Sequence, residues 1–150
     1  MNDGRVVAID LGSVRIGVAY SDRRRTLASP WGAVARSGDV ERDRVALVEI
    51  VREVEATVVV VGVPLSLSGG QGPAAKAALE EVTALRAIFE PLGVAVETAD
   101  ERFTTTEAQR SLTKAGRKGR GARAVIDAAA AMVLLQSWLD GAASRAADPS

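Results

Sequence analysis

The chain reads as an α/β domain built on a mixed sheet, and three observations predict it. Up to Val34 the apolar residues alternate or cluster in short β-branched runs broken by turn residues. From Val40 onward the period becomes helical. Helical segments then alternate with two further apolar runs, an order that calls for parallel crossover connections after an antiparallel start.

Val6-Val7-Ala8-Ile9 form the first strand, which ends on Asp10 and turns at Gly12. Ile16, Val18 and Tyr20 then alternate with Gly17, Ala19 and Ser21, so a second strand folds back on the first as a β-hairpin with Asp10 at its mouth. Arg23 to Arg25 read as a solvated hairpin tip. Leu27 to Val34 make a third strand, and Pro30 within it suits an edge position or a bulge. Val40, Leu47, Val48, Val51 and Val54 recur among the charges of Glu41 to Glu55 as the stripe of an amphipathic helix. Val58 to Val61 are wholly apolar and β-branched, as a strand covered on both faces requires, and Gly62-Val63-Pro64 ends it.

A Ser- and Gly-rich loop follows, and Pro73 opens a helix to about Glu90 whose buried stripe is Ala78, Val82, Leu85 and Phe89. Pro91 to Gly93 stop it. Val94 to Thr98 form another strand, which runs into Ala99-Asp100-Glu101-Arg102, a second acidic strand end. Thr104 and Glu107 have capping-box spacing for a helix to about Ala115, with Gly116 as its stop. A last helix covers roughly Ala124 to Leu139. Residues 1–140 are expected to form a single domain and 141–150 a frayed tail.

Composition narrows the chemistry. Of 150 residues none is cysteine, which excludes disulfides, thiolate zinc sites and cysteine nucleophiles. None is histidine, which removes Ser-His-Asp catalysis and the commonest transition-metal ligand. An enzyme of this composition must use carboxylates, Lys, Ser/Thr, backbone groups or a hard cation, with Mg²⁺ or Mn²⁺ the natural choice. The formal net charge is zero, so a basic surface is confined to a patch. No apolar run approaches the ~20 residues that span a bilayer, and the N-terminus is polar, so no membrane association and a cytoplasmic location are expected.

Three acids stand out. Asp10 and Glu101, with Asp100 beside it, end strands. Asp127 shares a helix face with Ala131, Leu134 and Trp138, on a stripe that points inward, and the small residues Ala128 to Ala131 let that helix approach the sheet closely. Plainer readings are that Asp10 bonds the turn backbone and that Asp127 caps its helix or favours its dipole. Convergence of the acids would make sense if divalent cations neutralise them, and two such ions ~3.5–4 Å apart can carry phosphodiester hydrolysis. Lys114, Arg117, Lys118, Arg120 and Arg123 form a glycine-rich basic stretch without an acid, suited to phosphates rather than bases because aromatics are only 3% of the chain. Arg15 and Arg102 flank candidate acids, either to hold phosphate or to pair with the carboxylates.

Asp10-Leu11-Gly12-x-x-Arg15-Ile16-Gly17-x-Ala19, Val61-Gly62-x-Pro64-Leu65 with Gly69, Asp100-Glu101-Arg102-x-Thr104-Thr105-x-Glu107-Ala108, and Ile126-Asp127-x-Ala129-Ala130 with Leu135-Gln136-Ser137 together resemble the YqgF/RuvX family over nearly the whole chain. The resemblance implies an RNase H-like (RuvC-like) fold, a mixed five-stranded sheet flanked by helices. It further implies metal roles for Asp10, Glu101 and Asp127, favouring Glu101 over Asp100. The implied activity is that of a nuclease acting in 5′-end maturation of pre-16S rRNA or, by likeness to the RuvC resolvases, on Holliday junctions. A junction resolvase would work as a symmetric homodimer making two cuts. The loop after Pro64 lacks an acid, a departure that bears on substrate preference.

Two other classes stay open. The Asp-Leu-Gly hairpin also resembles the first phosphate turn of actin-like and sugar-kinase ATPases, although such proteins bind nucleotide between two domains of this size. A nucleic-acid-binding module that keeps the fold without cutting is the other.

Overall fold

The structure, a computed structural model, describes residues 4–64, 72–100 and 121–147. Five strands and three long helices follow in the order β1 (Arg5–Leu11), β2 (Arg15–Ser21), β3 (Ala28–Ala35), α1 (Val40–Val54), β4 (Ala56–Val63), α2 (Pro73–Phe89), β5 (Ala95–Asp100) and α3 (Gly121–Ala147). The sheet order is β3-β2-β1-β4-β5. β1, β2 and β3 form an antiparallel meander, and β4 and β5 join parallel to β1. The mixed five-stranded sheet expected from the sequence is present.

The sheet is covered on both sides because its inner strands are apolar in both parities. Val7, Ile9, Val59 and Val61 pack with Leu47, Ile50 and Val51 of α1 and Val82, Leu85 and Phe89 of α2. Val6, Ala8, Ala19, Val58 and Val60 pack against Ala128, Ala131, Leu134 and Leu135 of α3. Each fully buried valine or leucine here is worth about 1.5–3 kcal/mol of transfer free energy.

The small residues collect on the α3 side. Ala8 and Ala19 are neighbours across β1 and β2, so α3 lies on a shallow floor.

β3 sits at the sheet edge, as Pro30 foretold, and the register shifts between Val18 and Ala19 where Trp31 is the extra residue between Pro30 and Gly32. The backbone N–H of Ala28 donates to Gln136 Oε1 of α3 at 2.9 Å, and Gln136 Nε2 donates to Thr26 O at 3.0 Å. A single amide side chain thus clamps the edge strand to the helix.

The structure departs from the sequence reading in several places. α3 does not stop near Leu139 but continues to Ala147, because alanine's high helix propensity carries it past a single glycine. Its segment Val125–Ala142 is long and apolar enough to cross a membrane, contrary to the expectation of no such run. In the fold it is instead the core helix of the α3 layer, with Ala128, Ala131 and Leu135 fully buried. Asp43, in the first turn of α1, is buried where the helix stripe called for an apolar residue, and Val40 is exposed. Ser37 resolves the cost by donating to the Asp43 carboxylate from Oγ at 2.8 Å and from its backbone N–H at 3.1 Å. Arg25 is not simply solvated: it takes a positive φ of 59° and its guanidinium folds back to donate to Gly4 O and Thr57 Oγ1. The helix expected from Thr104 to Ala115 lies outside the described residues.

The tip of the β2–β3 hairpin turns around Asp22, whose Oδ1 accepts from the N–H groups of Thr26 and Leu27 and whose Oδ2 accepts from Thr26 Oγ1 at 2.6 Å. The Thr26 hydroxyl, helped by those backbone donors and opposed by burial, holds the Asp22 carboxyl below its ordinary 3.8. A lowered native pKa adds stability that is present above the unfolded value and is lost as the pH falls through the native one. Asp22→Asn, which mimics the protonated acid, should therefore cost about 1 kcal/mol in denaturant unfolding at neutral pH. The difference from the parent should close in strong acid. A gap that stayed constant with pH would show that the charge on Asp22 does not hold the turn.

Candidate active site at the end of the sheet

Asp10 is the penultimate residue of β1, and strand alternation places it on the same face as Val6 and Ala8, the face covered by α3. Its cross-strand partner is Gly17 of β2. A Cβ added at Gly17 would lie 3.8 Å from Asp10 Cβ and 3.1 Å from the backbone oxygen of Asp127. Asp10 and Asp127 therefore flank the same glycine, one on the sheet and one on the helix. Gly12 is required for a different reason, since a Cβ there would meet the Arg15 carbonyl oxygen at 2.5 Å and the β1–β2 turn could not close. Together they explain two of the glycines in the sequence motif.

Asp127 lies inside α3, past its first turn, so it is not a helix cap. Its Oδ1 accepts from Arg15 Nη1 at 3.0 Å, with the Asp127 side chain 21% and the Arg15 side chain 54% exposed. An ion pair that open contributes at most about 1 kcal/mol. Of the two roles the sequence allowed Arg15, pairing with a carboxylate is the one seen. Asp10 is partly buried, and among the described residues no donor bonds its carboxylate. The turn N–H of Gly12 bonds the Asp10 backbone oxygen instead, at 3.0 Å.

The parallel register pairs Asp100 of β5 with Val63, which packs with Ala75 and Ala78 of α2. Asp100 thus falls on the sheet face opposite Asp10 and Asp127. Glu101, Arg102, Lys114, Arg117, Lys118 and Arg120 lie outside the described residues, as does the side chain of Arg123. Among the described residues no group of three His, Cys, Asp or Glu is arranged to hold a metal ion. Asp10 and Asp127 nonetheless fit a hard divalent cation. They offer only oxygen donors, both are partly exposed to solvent, and Gly17 puts no side chain of its own beside them.

A cavity of about 410 Å³ borders Asp10 and extends to the α2 side of the sheet, between the Gly12-Ser13 turn, Gly62 and Ala77 of α2. Arg36 and Glu81 also line it, and sequence reading singled out neither. Arg36 follows the edge strand, and only the β2–β3 pairing reveals its place: its N–H donates to Val14 O, and its side-chain Nε donates to Gly12 O at 2.6 Å. Glu81 is held by Arg44 of α1 through two hydrogen bonds of 2.8 and 2.9 Å. The Glu81 hydrogen bonds, together with Glu81 and Glu41 charge and against burial, push the Arg44 pKa up.

Comparison with known proteins agrees with this architecture. A family model described as RuvX, Holliday junction resolvase, matches residues 4–141. A protein from Mycobacterium sp. (strain KMS), named as a candidate pre-16S rRNA nuclease, is 48% identical over 137 residues, covering 91% of this chain and 80% of its own. A relative of the same name from Rhodococcus erythropolis is 47% identical over 149 residues, covering 97% of this chain and 82% of its own. Among solved structures, Thermus thermophilus RuvC in complex with a Holliday junction superposes with a TM-score of 0.63 at 12% identity, over 94% of this chain and 96% of that one. The fowlpox virus resolvase bound to junction DNA gives 0.56 at 11% identity, over 92% and 98%. At such identities these two likenesses speak for the RNase H-like fold alone.

Strand propensity favours alanine over glycine, but the close oxygen of Asp127 opposes it at position 17. Gly17→Ala should lower stability by about 1–3 kcal/mol, read as a reduced denaturation midpoint. An unchanged or raised midpoint would mean that α3 is free to draw away from β2.

Proposed function

The chain belongs to the RuvX family, and from that membership we propose that it is a nuclease hydrolysing phosphodiester bonds of precursor 16S rRNA in the cytoplasm, with Mg²⁺ or Mn²⁺. The observation that carries this reading is the placement of Asp10 and Asp127 on either side of Gly17 at one end of the sheet. The names of the relatives at 47–48% identity support the rRNA substrate.

Asp10, Asp127 and Glu101 would hold the metal. The position of Asp100 on the other face supports Glu101 as the member of that adjacent pair that joins them. A divalent ion bound there supplies a water acidic enough to serve as nucleophile and positive charge for the leaving oxygen. The protein's own residues do the rest. Two carboxylates fixed on a strand and a helix, rather than on loops, keep their separation through the reaction. Arg15, more than half exposed, is close enough to Asp127 to turn its remaining donors to a phosphate of the strand being cut. Arg102 and the basic stretch of Lys114, Arg117, Lys118, Arg120 and Arg123 neutralise neighbouring phosphates without reading sequence.

The description of the family as Holliday junction resolvases favours a second reading, cleavage of four-way DNA junctions by a homodimer. Incubating purified protein with precursor rRNA and with a four-way junction in parallel, in Mn²⁺ or Mg²⁺ and in EDTA, separates the two. Cleavage of the RNA with the junction left whole is expected. Asp10→Asn and Asp127→Asn should each reduce cleavage ~100-fold or more while circular dichroism stays native. Undiminished cutting by either variant would sink the proposed site, and paired cuts in the junction alone would hand the function to the second reading.

A further inference from the structure

The cavity beside Asp10 has a use that metal-assisted hydrolysis does not give it. Its volume of about 410 Å³ lies within the ~300–1,000 Å³ typical of small-ligand sites. Its charges are unevenly satisfied. Glu81 is matched by Arg44 through both carboxylate oxygens, and Asp10 also lines the cavity. Arg36 is tethered by its Nε to Gly12 O, yet its terminal nitrogens have no acid or carbonyl partner among the described residues. A guanidinium anchored at one nitrogen and open at the other two is preorganised for a phosphate oxygen. Ser13 adds a hydroxyl on the same side, and Ala74 and Ala77 give an apolar wall without a side chain long enough to block entry.

We propose that this cavity seats one nucleotide of the substrate strand next to the cut, its phosphate on Arg36 and its ribose and base against the alanine wall of α2. The inference rests on the nuclease reading above. Gly12 links the two sites, because its N–H bonds the Asp10 backbone oxygen and its own oxygen receives Arg36. A nucleotide held by Arg36 is therefore registered against Asp10 through a single residue. Among the described residues that line it none is aromatic, so they grip the backbone and tolerate any base.

Binding can be read without cleavage by fluorescence anisotropy of a labelled single-stranded oligoribonucleotide, with all variants made in the Asp127→Asn chain. Asp127 does not line the cavity. Arg36→Ala should weaken binding ~10-fold and lower the slope of log affinity against log salt by ~0.7, the loss of one single-strand phosphate contact. Arg36→Lys should fall between it and the parent, because it keeps the charge but not the fork. Ala77→Trp, at an exposed helix position where bulk is accommodated, should fill the cavity and weaken binding comparably with the salt slope less affected. Parent-like affinity in both Arg36→Ala and Ala77→Trp would overturn the seating. Weakening by Arg36→Ala with parent-like binding by Ala77→Trp would overturn it too, leaving only surface charge. Failure of the nuclease reading shows itself separately, as absence of cleavage by the unmodified protein, whatever these binding curves give.

Discussion

The distance between α3 and the sheet governs the site. With the Asp127 oxygen 3.1 Å from where a Cβ of residue 17 would stand, the helix meets the sheet backbone at that point with no side chain between. That approach is possible only because the contact surfaces are made of small residues: Gly17, Ala8 and Ala19 on the sheet, Ala128 and Ala131 on the helix. Large residues would have packed as well in hydrophobic terms, but they would lift Asp127 away from the end of β1. Apolar area that could have been buried is given up so that the backbone of α3 at Asp127 can come close to the β1–β2 pairing at Asp10 and Gly17. A small-residue interface is thus the mechanical condition for the close approach of α3 to β2.

The pair is electrically asymmetric. Asp127 has Arg15 as a counter-charge, whereas Asp10 has no donor to its carboxylate among the described residues. The strongest ion pair described, Arg44 with Glu81, lies on the other face, where it joins α1 to α2. Structural electrostatics and candidate chemical electrostatics are therefore separated by the sheet. The cavity at the end of β1 is where the two regions meet.

Much of the fold was legible because the signals were local. A short apolar run gave β1, period-two alternation gave β2, Pro30 gave the edge position of β3, and the stripe Ala78, Val82, Leu85 and Phe89 gave the buried face of α2. The inward stripe of α3 on which Asp127 lies was legible from Ala131, Leu134 and Trp138. What stayed hidden depends on contacts distant in sequence. Asp43 looks like any first-turn acid until Ser37 folds over it, and Arg25 looks solvated until Gly4 and Thr57 are beside it. Arg36 carries no motif; its position follows from the pairing of β3 with β2, and its partner Gly12 is 24 residues away. Which face Asp100 takes was not legible either, because it needs the register of β5 against β4 and cannot be counted from one strand alone.

The edge strand deserves a different kind of reading from the interior ones. A sheet whose central strands are uniformly apolar is exposed to pairing with strands of other chains wherever its border offers free N–H groups. On β3, Pro30 has no N–H to give, and the N–H of Ala28 is already spent on Gln136. The residue beyond them, Trp31, is part of an irregular register that twists the ladder. Gln136, on the helix that also carries Asp127, therefore takes part in guarding this border: with Pro30 it shortens the stretch of β3 whose N–H groups a strand of another chain could use.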